Sequence, residues 1–116
     1  MKIIITERQQ KLISEDEDRV FLVKKKIAKN ELTNKFGDLT PFTYDEEDDI
    51  VYYINNKRAL YFEYDKEENY CRIGDTIWDF LTDIFGLDDD QIKKVTKEWL
   101  EDYYNLKDVS VLKSEW

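Results

Sequence analysis

Apolar residues near position 80 recur at the spacing of one helix face. They occupy positions i, i+3, i+4, i+7 and i+8: Ile77, Phe80, Leu81, Ile84 and Phe85. Asp75 precedes this segment as an N-cap, and Gly86 follows it, where glycine readily adopts the left-handed conformation that ends a helix. The pattern predicts an amphipathic helix between Asp75 and Gly86.

A second helix is predicted immediately afterwards. Asp88 and Gln91 have the spacing of a capping box, and Leu87 is placed to pack on Ile92 across the helix start. The apolar stripe of this segment is largely aromatic: Ile92, Val95, Trp99, Leu100 and Tyr103. Asn105 tolerates the left-handed conformation and is expected to end the helix.

Three segments in the middle of the chain are rich in β-branched and aromatic residues and are separated by polar turns: 50–54, 59–64 and 70–73. In the second, Leu60, Phe62 and Tyr64 alternate with Tyr61 and Glu63, which is the pattern of a strand with one buried face. The pattern predicts an antiparallel β-meander with the two C-terminal helices packed on one sheet face.

The residue pattern in the first third of the chain predicts N-terminal helices. Capping-box spacings occur at Thr6 with Gln9 and at Ser14 with Glu17, so a longer helix is expected to begin near Ser14. Its apolar residues form two neighbouring stripes: Val20, Val23 and Ile27 in one, and Phe21, Ala28, Leu32 and Phe36 in the other.

A lysine cluster lies on the polar side of this predicted helix: Lys24, Lys25, Lys26 and Lys29. Cations near the C-terminal end of a helix interact favourably with its dipole. The cluster is therefore either a solvated face or a docking patch for an acidic partner.

The segment 37–49 predicts a connecting loop, because it contains the single proline, Pro41, and a run of carboxylates. An EF-hand loop beginning at Asp45 is excluded, since Ile50 stands where that loop needs glycine. A looser divalent-ion site and a solvated acidic loop are the two remaining interpretations.

The whole chain, 1–116, is expected to form a single α+β domain. Its length and its 41% hydrophobic content are sufficient for one core. Segment 109–112 is a candidate final strand that either joins the meander or pairs with 3–5. The sheet is thus predicted to have three or four strands.

Composition excludes most catalytic chemistry. The chain has no histidine and one cysteine, so it lacks an imidazole base and cannot form a cysteine zinc site. Cys71 is expected to be a core residue and not a nucleophile. Asp75, Asp79 and Asp83 share a helix face that is suited either to Mg²⁺ or to solvent. We predict no enzymatic activity, no cofactor and no bound metal.

Charge is unevenly distributed along the chain. Residues 1–37 carry nine basic and six acidic side chains, and the remainder carries nine basic and 21 acidic ones, giving a net charge of −9. The negative potential of the second part repels phosphate backbones and attracts basic surfaces. Direct nucleic-acid binding is therefore not expected.

The expected function is that of a non-catalytic, acidic protein-interaction module. The alternatives are a nucleic-acid mimic that inhibits a DNA- or RNA-binding protein, and a minor virion or assembly component. Trp116 either packs back on the domain or anchors a partner. The predicted partner-binding residues are these: Asp45, Glu46, Glu47, Asp48, Asp49, Glu98, Glu101, Asp102 and Trp116.

Neither a secretory signal nor a membrane span is expected from the sequence. The apolar run after Lys2 ends at Ile5, which is far shorter than a signal core, and no stretch approaches the roughly 20 apolar residues that cross a bilayer. A single thiol also fits a reducing compartment. A cytoplasmic location is predicted, in the host cell if the protein is viral.

Three short pieces of the sequence resemble small uncharacterised proteins of tailed bacteriophages. They are Lys2-Ile3-Ile4-Ile5-Thr6-Glu7-Arg8-Gln9, Ile77-Trp78-Asp79-Phe80-Leu81 and Glu98-Trp99-Leu100. The resemblance implies a viral origin and action on a host or viral protein. It implies no site residue.

Overall fold

A computed structural model describes the backbone of residues 7–45, 47 and 49–114, and the side chains of these residues from 19 onward. The sequence interpretations of Thr6, of segment 3–5 and of Trp116 lie outside the described residues. The fold is α+β, as the sequence predicted. No helix in the described part of the chain is long and apolar enough to cross a bilayer.

The N-terminal region forms one helix, α1 (Glu7–Phe36). The prediction of a helix starting at Ser14 was therefore wrong. No glycine or proline occurs between these bounds, so nothing in the backbone interrupts the helix, and residues with good capping chemistry also fit inside it.

Five strands form one sheet in the order β1-β2-β3-β4-β5. They are β1 (Thr40–Phe42), β2 (Ile50–Ile54), β3 (Leu60–Asp65), β4 (Tyr70–Ile73) and β5 (Ser110–Lys113). The first four are antiparallel neighbours, as predicted, and β5 pairs parallel to β4.

Strand β1 lies within the segment that was expected to be a loop. It is only three residues long and contains Pro41, which an edge strand tolerates because its free side needs no backbone N–H. The five-stranded sheet thus exceeds the predicted three or four strands at this edge.

The two C-terminal helices are α2 (Asp75–Phe85) and α3 (Asp89–Tyr103). The capping box of Asp88 with Gln91 and the left-handed cap at Gly86 are both confirmed. The N-cap of α2 is Gly74, however, and Asp75 is the first helical residue, where its carboxylate still interacts favourably with the helix dipole.

All three helices contribute to one core on a single sheet face. From α1 this core takes the stripe that contains Ala28, Leu32 and Phe36. Trp99 of α3 lies near its centre, with its ring centroid 6.1 Å from that of Phe62 and 5.2 Å from that of Tyr104. The opposite sheet face is therefore available to carry exposed side chains.

A β-bulge in β3 changes which side chains reach that opposite face. Tyr53 pairs with Phe62 and Ile54 pairs with Leu60, so Tyr61 is the extra residue. Tyr61 packs against Phe36 in the core. The predicted alternation holds for Phe62 and fails at Leu60, which lies on the outer face.

Candidate functional site

A shallow depression of about 260 Å³ lies on the outer sheet face near β1. Its rings form a chain of edge-on contacts, with Phe42 5.1 Å from Tyr44 and Tyr44 5.4 Å from Tyr52 between centroids. We call the apolar residues of this depression the aromatic patch: Phe42, Tyr44, Tyr52, Ile54 and Leu60.

Strand register and the bulge together assemble the aromatic patch. Phe42 lies directly opposite Tyr52 in the β1–β2 pair, so the two side chains share one face. Leu60 joins them because of the bulge. Arg58 lies at the rim, in a turn where the Asn55 Oδ1 accepts hydrogen bonds from the backbone N–H groups of Lys57 and Ala59, each at 2.9 Å.

Two rings of the aromatic patch are open to solvent. Tyr44 is 79% exposed and Phe42 is 39% exposed. Clustered aromatic side chains that remain accessible to solvent are typical of protein-binding surfaces, since isolated apolar residues are common but contiguous patches are not.

Carboxylates are concentrated at one end of the same sheet. The Lys66 backbone N–H donates a 2.7 Å hydrogen bond to the Asp49 carbonyl oxygen, which holds the β1–β2 loop against the β3–β4 turn. Asp65 Oδ1 accepts from the N–H groups of Glu67 and Glu68, each at 3.0 Å. We call this region the acidic end: Asp45, Glu47, Asp49, Glu67 and Glu68.

Crowding of the acidic end is visible in the pKa of Glu67. The charge of Asp49, a hydrogen bond to it and the charge of Glu68 raise this pKa above its ordinary value of 4.5. A raised carboxyl pKa means that neighbouring charge disfavours ionisation. The carboxylates of Asp49 and Glu68 therefore repel that of Glu67.

Replacing Glu67 with glutamine is expected to increase stability slightly at neutral pH, because it removes this repulsion. A carboxyl group whose pKa is raised on folding destabilises the folded state once pH exceeds that pKa, and the effect disappears below 4.5. Urea unfolding of E67Q and wild type at neutral and acidic pH measures the difference. A change in stability of E67Q that is the same at both pH values would contradict the assignment. Added salt should reduce the neutral-pH gain.

The three predicted site residues of α3 face another part of the molecule. Glu98 pairs with Lys25 at 2.8 Å, and Asp102 pairs with Lys29. Glu101 lies 3.8 Å from Lys97 on the same helix. Lysines of α1 thus offset the unfavourable placement of anions near the C-terminus of α3.

The structure therefore divides the predicted partner-binding residues. Asp45, Glu47 and Asp49 are exposed at the acidic end, whereas Glu98 and Asp102 lie in the groove between α1 and α3. Glu46, Asp48 and Trp116 lie outside the described residues. Their role in binding stays a prediction.

Sequence reasoning missed the aromatic patch. The available signal was the position of Phe42 and Tyr44 immediately before the acidic run, with Tyr52 shortly after it. These residues form a patch only because β1 pairs with β2. The prediction of a connecting loop at 37–49 did not include that pairing.

The residues considered for catalysis differ in their exposure to solvent. Cys71 is buried, and burial raises the pKa of its thiol to about 12. Asp75, Asp79 and Asp83 are exposed on α2. Within the described ranges, no group of three or more potential ligands is arranged to hold a metal ion.

Comparison of the chain with protein-family models, with curated proteins and with solved structures finds no match. The evidence for the candidate site is therefore its geometry and its charge.

Proposed function

We propose that this protein is a non-catalytic protein-interaction module that binds its partner through the aromatic patch and the acidic end. The observation that carries the proposal is the ring cluster of the exposed Phe42 and Tyr44 with the half-buried Tyr52, beside carboxylates that raise the pKa of Glu67. An apolar anchor surface with Arg58 on its rim thus adjoins the acidic end, since Asp45 directly follows Tyr44 in the chain.

The patch suits a partner segment in which basic residues flank an apolar side chain. Aromatic residues provide large contact area and frequently dominate binding energy. Tyrosine faces also attract lysine and arginine cations. The carboxylates of the acidic end would increase the association rate with such a segment and disfavour acidic competitors.

Selection from a random peptide library tests this chemistry without knowledge of the native partner. Peptides that bind the protein are expected to be enriched in Lys or Arg next to aromatic or aliphatic residues. Replacing Tyr44 with alanine should weaken the selected peptides by about tenfold or more, the cost of losing one well-packed anchor. Ile84→Ala, at an exposed apolar position on α2, is the control and should leave binding unchanged.

Charge-reversal variants distinguish the effect of the carboxylates at the acidic end from the effect of the net charge of the protein. Asp45→Lys with Glu47→Lys is expected to slow association strongly at low salt and weakly at high salt. Asp79→Lys with Asp83→Lys changes the net charge equally on an exposed face of α2 and should have little effect. Equal slowing by both pairs, or selected peptides without basic residues, would exclude the proposed surface.

A further inference from the structure

An apolar stripe on α1 remains exposed after folding. Val20, Val23 and Ile27 are between 49% and 59% exposed, although they stand at i, i+3 and i+7 of a helix. The core instead takes the neighbouring stripe that contains Ala28 and Leu32. We call Val20, Val23 and Ile27 the outer stripe.

The outer stripe lies outside the buried face of α1. At 3.6 residues per turn, its three positions cluster roughly 130° around the helix from Ala28, Leu32 and the partly buried Phe21. Spacing of i, i+3 and i+7 is also the spacing with which one helix packs along another. The stripe therefore has the geometry to receive a partner helix.

The four lysines of α1 differ in their ion pairs. Lys25 and Lys29 face α3, where they pair with Glu98 and Asp102. Lys24 and Lys26 are exposed and make no ion pair with any residue that the structure describes. By helical position they lie on opposite flanks of the outer stripe, with Lys24 on one side and Lys26 on the other.

We infer that the outer stripe is a second docking surface and that it binds an acidic amphipathic helix of another protein. The apolar face of that helix would cover Val20, Val23 and Ile27, and its flanking carboxylates would meet Lys24 and Lys26. Charge complementarity at Lys24 and Lys26 favours this partner, since lysines at the edges of a helix pair attract acidic side chains.

The same charges argue against a second copy of α1 as the occupant. Packing two copies of the described stripe against each other would bring Lys24 and Lys26 of one molecule near those of the other, and like charges at such positions are unfavourable. The inference does not rest on the proposed function, because it concerns a helix on the other side of the sheet.

A designed peptide provides the probe. It is a monomeric helix with leucine at core heptad positions and glutamate at the flanking positions, and a second peptide with lysine in place of glutamate is the control. The acidic peptide is expected to bind the wild-type protein at least about tenfold more tightly than the basic one, measured by calorimetry at low salt.

Val23→Glu and Leu22→Glu form a matched pair of variants. Both positions are exposed, 59% and 53%, and both substitutions add the same charge to the same helix. Leu22 lies about 100° around the helix from Val23 and outside the outer stripe. V23E should weaken the acidic peptide by about tenfold or more, and L22E should have a much smaller effect, with circular dichroism verifying that both variants remain folded.

Three results would overturn the inference. They are failure of the acidic peptide to bind, equal losses in V23E and L22E, and a self-associated protein that V23E converts to monomer in sedimentation. Lys24→Gln with Lys26→Gln should also weaken the acidic peptide more than Lys57→Gln with Lys66→Gln, which removes two exposed positive charges elsewhere.

Discussion

Replacing Trp99 with alanine is expected to lower the free energy of unfolding by about 3–5 kcal/mol, the usual cost of removing a large aromatic side chain from a core. Trp99 is 1% exposed and its ring contacts those of Phe62, Tyr103 and Tyr104. Because small domains are stable by only about 5–15 kcal/mol, this single change removes a large share of the total.

The indole nitrogen adds a smaller contribution. Trp99 Nε1 donates a 3.2 Å hydrogen bond to Thr33 Oγ1 and so links α3 to α1. Trp99→Phe retains an aromatic ring and should cost clearly less than Trp99→Ala. Urea unfolding monitored by circular dichroism measures both variants. A loss below about 1 kcal/mol in W99A would contradict the central position of this ring in the core.

The thiol of Cys71 is expected to react with alkylating reagents far more slowly in the folded protein than in the unfolded chain. Its pKa rises from 9.0 to about 12 on burial, which lowers the thiolate fraction at neutral pH by about a thousandfold. Labelling with and without denaturant measures the ratio. Rapid labelling of the folded protein would contradict the burial of this thiol.

The same burial predicts loss of stability in alkali. Burial raises the pKa of Cys71 above 9.0 and the pKa values of Tyr53 and Tyr104 above 10.0. Between the unfolded and folded pKa values the unfolded chain binds fewer protons, so stability falls as pH rises through that range. Unfolding curves from neutral pH upward should show this decline beginning above about 9. Constant stability through that range would contradict the burial of these groups.

The C-terminal helices were predictable because several local signals agree. Asp88 with Gln91 defines the start of α3, Gly86 ends α2, and the apolar spacing around Leu81 defines the buried face. Each signal depends on residues within a few positions of one another, so a single sequence contains all of the information.

The features that form the candidate site depend on distant parts of the chain. The two stripes of α1 have similar helical periodicity, and the packing of α1 against α2, α3 and β3 decides which of them is buried. Similarly, the bulge at Tyr61 and the pairing of Phe42 with Tyr52 are set by strand register. Local pattern predicts that a strand exists, but not which side chains remain on its outer face.

Photo-crosslinking from position 44 tests the binding role of the aromatic patch most directly. A photoreactive phenylalanine analogue at Tyr44, compared with the same group at the exposed Ile84, is introduced in the native cell. The account predicts a discrete protein adduct from position 44 that is absent from position 84 and lost on charge reversal at Asp45 and Glu47. Equal capture from both positions, or capture that is unaffected by the charge reversal, would contradict it.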